Sequence, residues 1–438
     1  MSGAAAQRFT LPGGLRVALT TLPHLHSVAL TFAVRVGARY ESPETNGLSH
    51  LCEHMLFRGT PRHPSAHAFN AALEALGGTL EAATHTDFTA YRIRLPPAAI
   101  TPALEVLAEI FDAPLFLGLD VEKNVVREEI LERLDEDGQL IDADDLAHRA
   151  VFGAHPLGLP LAGTVENVQR FGLDDLRAWH ARHHGAANVA LGIAGPLDAA
   201  ALVPKIERAF AGVATRTRED PQPFVAAEPG PRLTYVDSPG AQTDLRLALP
   251  TIGERHRLAP ALELLSRVLD DGLSARVFRT MVEERGLVYD AFGDLALYED
   301  TGLLTLGAAC RHESVLEVAS GLGELLRGLR DEAVRPEELA RVKTRALFEL
   351  DLMIDSPDAM AELAASGLLF EHGETLESLR ARTEAVTLEG LAEAAEATLA
   401  PDALQAVAVG SLTERQEDEL RAIVEVALER RGPSPSAA

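Results

Sequence analysis

The run Asn188-Val189-Ala190-Leu191-Gly192-Ile193-Ala194-Gly195-Pro196-Leu197 is apolar and stops at a glycine; Leu404-Gln405-Ala406-Val407-Ala408-Val409-Gly410-Ser411-Leu412 repeats it near the end of the chain. A short apolar run rich in small and β-branched residues and closed by Gly reads as a buried strand. Each copy follows a helical segment with a matching start, Leu173-Asp174-Asp175-Leu176 in one and Leu388-Glu389-Gly390-Leu391 in the other. The offset is 215 residues throughout, from Leu173 to Leu388 and from Gly195 to Gly410. A period that long signals a duplicated domain rather than a solenoid. Thr215 to Pro231, rich in Pro, Arg, Glu and Ala, has the composition of a linker. The sequence therefore divides into residues 1–220 and 221–438.

Both halves open with alternating strands: Arg16–Thr20 and Ser27–Val34 in the first, Leu233–Val236 and Thr243–Leu249 in the second. Segments with a 3.6-residue period follow, such as Ser65 to Leu76 and Pro260 to Asp270. Strands followed by helices in each half predict an α+β fold of two homologous domains. Each is expected to be a mostly antiparallel sheet with helices packed on one face. A chain of 438 residues is long enough for two such cores.

Composition narrows the function. The net charge of −26 argues against nucleic acid, which needs clustered Lys and Arg, and favours basic peptides as partners. No apolar run is long enough to span a membrane, and the first residues lack the pattern of a secretory signal. The two cysteines, Cys52 and Cys310, fit a reducing compartment, so the cytoplasm is expected.

Chemistry concentrates in Gly47-Leu48-Ser49-His50-Leu51-Cys52-Glu53-His54-Met55-Leu56-Phe57. On a helix, His50 and His54 lie one turn apart on the same face and can present two ring nitrogens to one metal ion. Glu53 stands beside them, placed to act as a base toward a water. Such a string arises by accident on the order of a few times per hundred chains, so a third ligand is needed to give it weight. The segment Val121-Glu122-Lys123-Asn124-Val125-Val126-Arg127-Glu128-Glu129-Ile130-Leu131-Glu132 reads as an amphipathic helix. Glu122 and Glu129, seven apart, share one of its faces. Helical geometry does not choose between Glu122, Glu128 and Glu129.

The order His-x-x-Glu-His is that of the inverzincins, and Gly47 to Thr60 resembles the zinc helix of the pitrilysin/insulinase metallopeptidase family. Leu76-Gly77-Gly78 followed by Thr84, Thr89 and Tyr91 is similar to that family's substrate strand. Glu122 to Glu129 resembles its third-ligand helix; His155-Pro156-Leu157-Gly158 and Gly163-Thr164 resemble a further shared segment. The size is closest to the two-domain processing-peptidase branch. The resemblance implies a Zn2+ endopeptidase with His50, His54 and Glu129 as ligands, Glu122 as an auxiliary carboxylate and Glu53 as general base. It places substrate binding at Glu81, Ala82 and Ala83, on an expected edge strand from Thr79 to Thr86. It also implies an oxyanion contact from Tyr289.

Two departures stand out. Glu81 replaces an Asn, and a carboxylate cannot donate as an amide does. Val282 stands where an Arg is expected seven residues before Tyr289, leaving Arg279 and Arg285 as the nearby cations. The second copy of the zinc helix is empty of ligands: with Leu258 set on Leu48, Pro260 and Leu264 fall at the histidines and Glu263 at Glu53. The expectation is one zinc per chain, with a homologous partner subunit lacking the zinc motif and supplying Arg and Tyr. Non-catalytic alternatives are an assembly subunit, like family relatives in a respiratory complex, or a peptide-binding factor. Cys52 is expected to be a buried small residue whose alkylation partly inhibits. The pairs His63 with His67 and His183 with His184 read as surface residues without metal.

Overall fold

The computed structural model describes residues 6–226, 230 and 232–429. The first sheet contains β1 (Ala6–Thr10), β2 (Arg16–Thr21), β3 (Val28–Val34), β4 (Leu80–Thr84), β5 (Thr89–Leu95) and β6 (Val189–Gly195) in the order β1-β2-β6-β3-β5-β4. The second contains β7 (Leu233–Asp237), β8 (Thr243–Ile252), β9 (Ala291–Leu297), β10 (Thr301–Cys310) and β11 (Gln405–Gly410) in the order β7-β11-β8-β10-β9. Among the described strands only β2 with β6 and β7 with β11 run parallel; every other pair is antiparallel. The two repeated runs, β6 and β11, occupy the same place in their sheets, between a parallel and an antiparallel neighbour. The preceding helices, Leu173–His183 and Leu388–Thr398, keep the 215-residue offset. The fold is α+β and duplicated.

The chain forms two compact units. One comprises the described parts of Met1–Glu132, Leu159–Gln222 and Phe348–Arg380; the other comprises Arg133–Gly158, Pro223–Leu347 and the described part of Ala381–Ala438. One break, between Gln222 and Pro223, falls in the linker. Two further segments are exchanged between the halves of the sequence, so a contiguous division into 1–220 and 221–438 does not describe the units.

Packing shows what the exchanged segments do. Every residue of β3 and β6 is buried, although one-sided sheets leave alternate residues wet. On one face of β3, Phe32 meets Phe111 and Phe210 at ring-centroid distances of 5.2 and 5.6 Å. The other face is paved with small residues. Ala29 and Ala194 pack against Met360 and Ala361; Ala33 and Ala190 pack against Ala365 and Leu369 of helix Pro357–Leu369. A Cβ at Gly192 would lie 2.0 Å from the Ala361 carbonyl oxygen, so only glycine admits that approach. In the second unit, helix Ala143–Phe152 covers Ala248, Val407 and Val409 in the same manner. The larger helical layer of that unit packs Leu262, Leu265, Val318 and Leu322 on Leu245, Leu247 and Leu249.

The expected helices form over Ala66–Glu74 and Ala259–Leu269; Ser65 caps the first by accepting a bond from the Ala68 N–H. Among the described residues, no helix is long and apolar enough to cross a membrane.

Candidate metal centre

The metal helix, Leu48–Leu56, is anchored at its start by a residue from outside it. Gly47 takes a positive φ of 99° and offers no side-chain cap. Glu41 supplies one instead. Its carboxylate accepts from the N–H of Gly47 (2.9 Å), the N–H of Ser49 (2.7 Å) and Asn46 Nδ2 (2.9 Å). An acid at this position satisfies orphan donors and complements the helix dipole. Burial pushes the Glu41 carboxyl above its ordinary range, while the donors pull the other way. Leu48, Leu51, Cys52, Met55 and Leu56 are buried, which turns the remaining face, with His50 and His54, toward the helix Leu119–Leu131.

That second helix brings two carboxylates. Glu129 Oε2 lies 2.9 Å from His50 Nε2, and Glu129 Oε1 lies 3.8 Å from His54 Nε2. Glu122 Oε2 lies 3.2 Å from His54 Nδ1. A carboxylate only accepts, so the Glu122 contact suits the His54 tautomer protonated on Nδ1, which leaves the Nε2 lone pair for a metal ion. Ligand atoms of His50, His54 and Glu129 all fall within 4.8 Å of one another, and among the described residues no other three His, Cys, Asp or Glu come so close. Tetrahedral zinc with bonds near 2.0–2.2 Å sets neighbouring ligand atoms about 3.3 Å apart. The 2.9 and 3.8 Å separations bracket that value, and two imidazoles with one carboxylate form a donor set suited to catalytic zinc. The residues fit the metal.

Glu53 is buried beside this cluster, its Oε2 3.9 Å from His50 Nδ1. The Thr84 hydroxyl donates to Glu53 Oε2 at 2.9 Å. Thr84 is the last residue of β4, which ends the sheet and pairs only with β5 among the described strands. Side chains alternate along a strand, so Thr84 and Ala82 face the metal helix while Glu81 and Ala83 face away. Exposed Glu81 stands across from Arg92.

Below the metal helix lies a row of buried rings. Tyr91 Oη is 3.3 Å from His184 Nε2; His184 stacks on His180 at 4.8 Å; and His180 Nε2 donates to the Ile110 carbonyl at 2.9 Å. His183 is also buried, 4.3 Å from the Trp179 ring. Burial lowers the pKa of His180 and His183 to about 4 and that of His184 well below the usual imidazole value. The surface placement expected for His183 and His184 is therefore wrong: Trp179, Phe111 and Tyr91 enclose them. His63 departs from the expectation too. It is half-buried, with Nδ1 3.1 Å from Glu109, an acid far away in sequence that also accepts from the Thr60 hydroxyl. Cys52 is fully buried, and its thiol is pushed far above its ordinary range by burial and by the Glu53 charge. The thiolate is the reactive form, so inhibition by alkylation at Cys52 is no longer expected.

In the second unit, Tyr289 is 96% exposed. Val282 packs against that unit's core. The two arginines around it are already paired, Arg279 Nε with Glu284 at 3.3 Å and Arg285 Nη2 with Glu324 at 2.6 Å. Glu263 accepts from Arg382 and has no histidines beside it. A cavity of about 780 Å³ in this unit, lined by Leu146, Arg149, Phe224 and Tyr235 among others, contains none of the candidate residues.

Residues 16–165 match the family Insulinase (Peptidase family M16), and residues 170–346 match the Peptidase M16 inactive domain. An uncharacterized zinc protease of Mycobacterium bovis is 31% identical over 88% of this chain and 89% of its own length. A protease from Helicobacter pylori superposes with a TM-score of 0.84 at 20% identity, covering 93% of this chain and all of that one. A chain of complex III2 from Candida albicans superposes with a TM-score of 0.76 at 17% identity, over 95% of this chain and all of that one.

Proposed function

The chain belongs to the insulinase family of peptidases, M16, and from that premise we propose that it is a zinc-dependent endopeptidase acting on peptides or unfolded segments. The convergence of His50, His54 and Glu129 within 4.8 Å carries the reading. These three residues would hold zinc. Bound zinc supplies Lewis-acid chemistry, polarising the scissile carbonyl and easing deprotonation of a water. Glu53, oriented by the Thr84 hydroxyl, takes the proton of the attacking water and delivers it to the leaving amine. Its burial keeps bulk water from competing for that proton.

The substrate would lie extended along the outer edge of β4, where main-chain hydrogen bonds grip a peptide with little regard to sequence. Glu81, on the face away from the metal helix, would then read a basic side chain at the rim. Tyr289, or its equivalent in a partner subunit, would hydrogen-bond the oxyanion, a contact worth on the order of 3 kcal/mol. Val282 is partly buried against the core, and Arg279 and Arg285 already carry acidic partners. These facts favour an active form in which a homologous subunit without the zinc motif contributes Arg and Tyr. The names of the relatives as zinc proteases support the catalytic reading over a purely structural subunit.

A peptide mixture incubated with the zinc-loaded chain and followed by mass spectrometry tests both parts. Cleavage is expected to rise sharply when a related chain bearing Arg and Tyr is added. Glu53→Gln should keep its zinc and cleave nothing in either case. Substantial hydrolysis by Glu53→Gln would remove Glu53 from the role of base, and full turnover by the chain alone would remove the partner.

A further inference from the structure

Arg58 lies two residues beyond the end of the metal helix and belongs to neither the His-x-x-Glu-His string nor the helix that carries Glu122 and Glu129. Its guanidinium bridges two helices. Nη1 meets Glu122 Oε1 at 2.9 Å, and Nε donates to the Leu117 carbonyl at 3.1 Å. Glu122 is thereby held from both sides, one oxygen on Arg58 and the other on His54 Nδ1. The path of the guanidinium is built into the backbone. It crosses Gly118, where a Cβ would lie 2.6 Å from Nη2, and Gly118 itself takes a positive φ of 71° at the head of the helix Leu119–Leu131. A side chain at 118 would be strained in conformation and would crowd the guanidinium. The exposure of the two side chains is modest, 26% for Arg58 and 12% for Glu122, so the pair is largely withdrawn from water.

We infer that Arg58 is a positioning residue of the metal centre, holding Glu122 in the orientation that fixes the ring and tautomer of His54. The inference rests on the zinc reading above. Outer carboxylates of metal-bound histidines set ring orientation and ligand basicity, and losing one weakens metal binding by about 10–100-fold. A carboxylate left with one anchor instead of two swings about its own bonds, so removing Arg58 loses part of that effect. Charge alone predicts the opposite sign. A guanidinium near the centre repels a dication, and its removal would tighten zinc binding if Coulomb forces were all that mattered. The direction of the change therefore separates positioning from simple electrostatics.

The test is zinc affinity of the full chain, measured by chelator competition, for the wild type, Arg58→Met, Arg58→Lys, Glu122→Gln and the Arg58→Met/Glu122→Gln double variant. Thermal midpoints of the metal-free proteins are measured alongside. Arg58→Met is expected to bind zinc about 10-fold more weakly with an unchanged metal-free midpoint. Arg58→Lys, which keeps the charge but not the fork, is expected to fall between it and the wild type. In the Glu122→Gln background the Arg58→Met change should alter affinity by less than about twofold, because an amide has a single acceptor oxygen and cannot accept from Arg58 and His54 together as the two carboxylate oxygens do. Unaltered or tighter binding in Arg58→Met overturns the inference, as does an equal loss with and without Glu122, which marks a general structural role. Should Arg58→Met not fold, Arg58→Lys with unaltered affinity overturns it equally. A wild-type chain that binds no zinc overturns the metal-centre reading itself.

Discussion

Thr84 and Glu41 act on the metal helix from a distance that no local pattern reveals. Glu41 docks its N-terminus, and Thr84 holds Glu53 from the end of β4. A hydrogen bond to a buried charged group contributes roughly 1.5–3 kcal/mol, enough to change a rate about 10-fold when it aims a base. Thr84→Val, nearly isosteric, is expected to lower kcat about 10-fold with KM and zinc content unchanged, and Thr84→Ser to restore most of the loss. Steady-state kinetics with metal analysis check this; an unchanged kcat in Thr84→Val, or no recovery with Ser, contradicts it. The two histidines and Glu53 were legible because all three lie on one short helix. Helical spacing alone does not choose the third carboxylate, since Glu122, Glu128 and Glu129 occupy one helix and only the neighbouring helix separates them; the family resemblance points to Glu129. Glu128 pairs with Arg127 at the surface, Glu122 sits under Arg58, and Glu129 meets both imidazoles.

The helix Leu173–His183 shows how an element can be read correctly while its role is misread. Its start and its 215-residue echo are plain in the sequence, but His183 at its end and the adjoining His184 read as surface residues. Burial holds His180 and His183 neutral, with pKa values of about 4 against an ordinary 6.5. The unfolded chain therefore binds protons first as pH falls. Stability from these groups is complete above about pH 6.5 and is lost progressively down to about pH 4, with on the order of 3 kcal/mol at stake per imidazole. Metal-free protein is accordingly expected to show a denaturation midpoint that drops steeply between pH 6.5 and 4.5. His183→Phe, which removes a ring with no hydrogen bond at either nitrogen, should flatten part of the drop. A midpoint that holds constant across this range, or an unchanged slope in His183→Phe, contradicts the account.

At the scale of the whole molecule, the duplication explains both what was visible and what was hidden. The matching strand order of the two sheets follows from the repeated runs at β6 and β11. The exchanged segments do not. Ala29, Ala33, Ala190, Ala194 and Gly192 are ordinary strand residues until the helix Pro357–Leu369 is laid on them, and no periodicity links residues so far apart. The copies share a fold but not a chemistry: Pro260 and Leu264 stand where a second pair of ligands would have to be. The chain should therefore carry one zinc and not two. The most direct measurement is the zinc content of metal-replete, desalted protein, for the wild type and for the single variants His50→Ala, His54→Ala and Glu129→Gln. The account predicts one zinc per wild-type chain and a loss of most of it in each variant. A wild-type chain without zinc, or full occupancy retained when any one of the three is replaced, would contradict it.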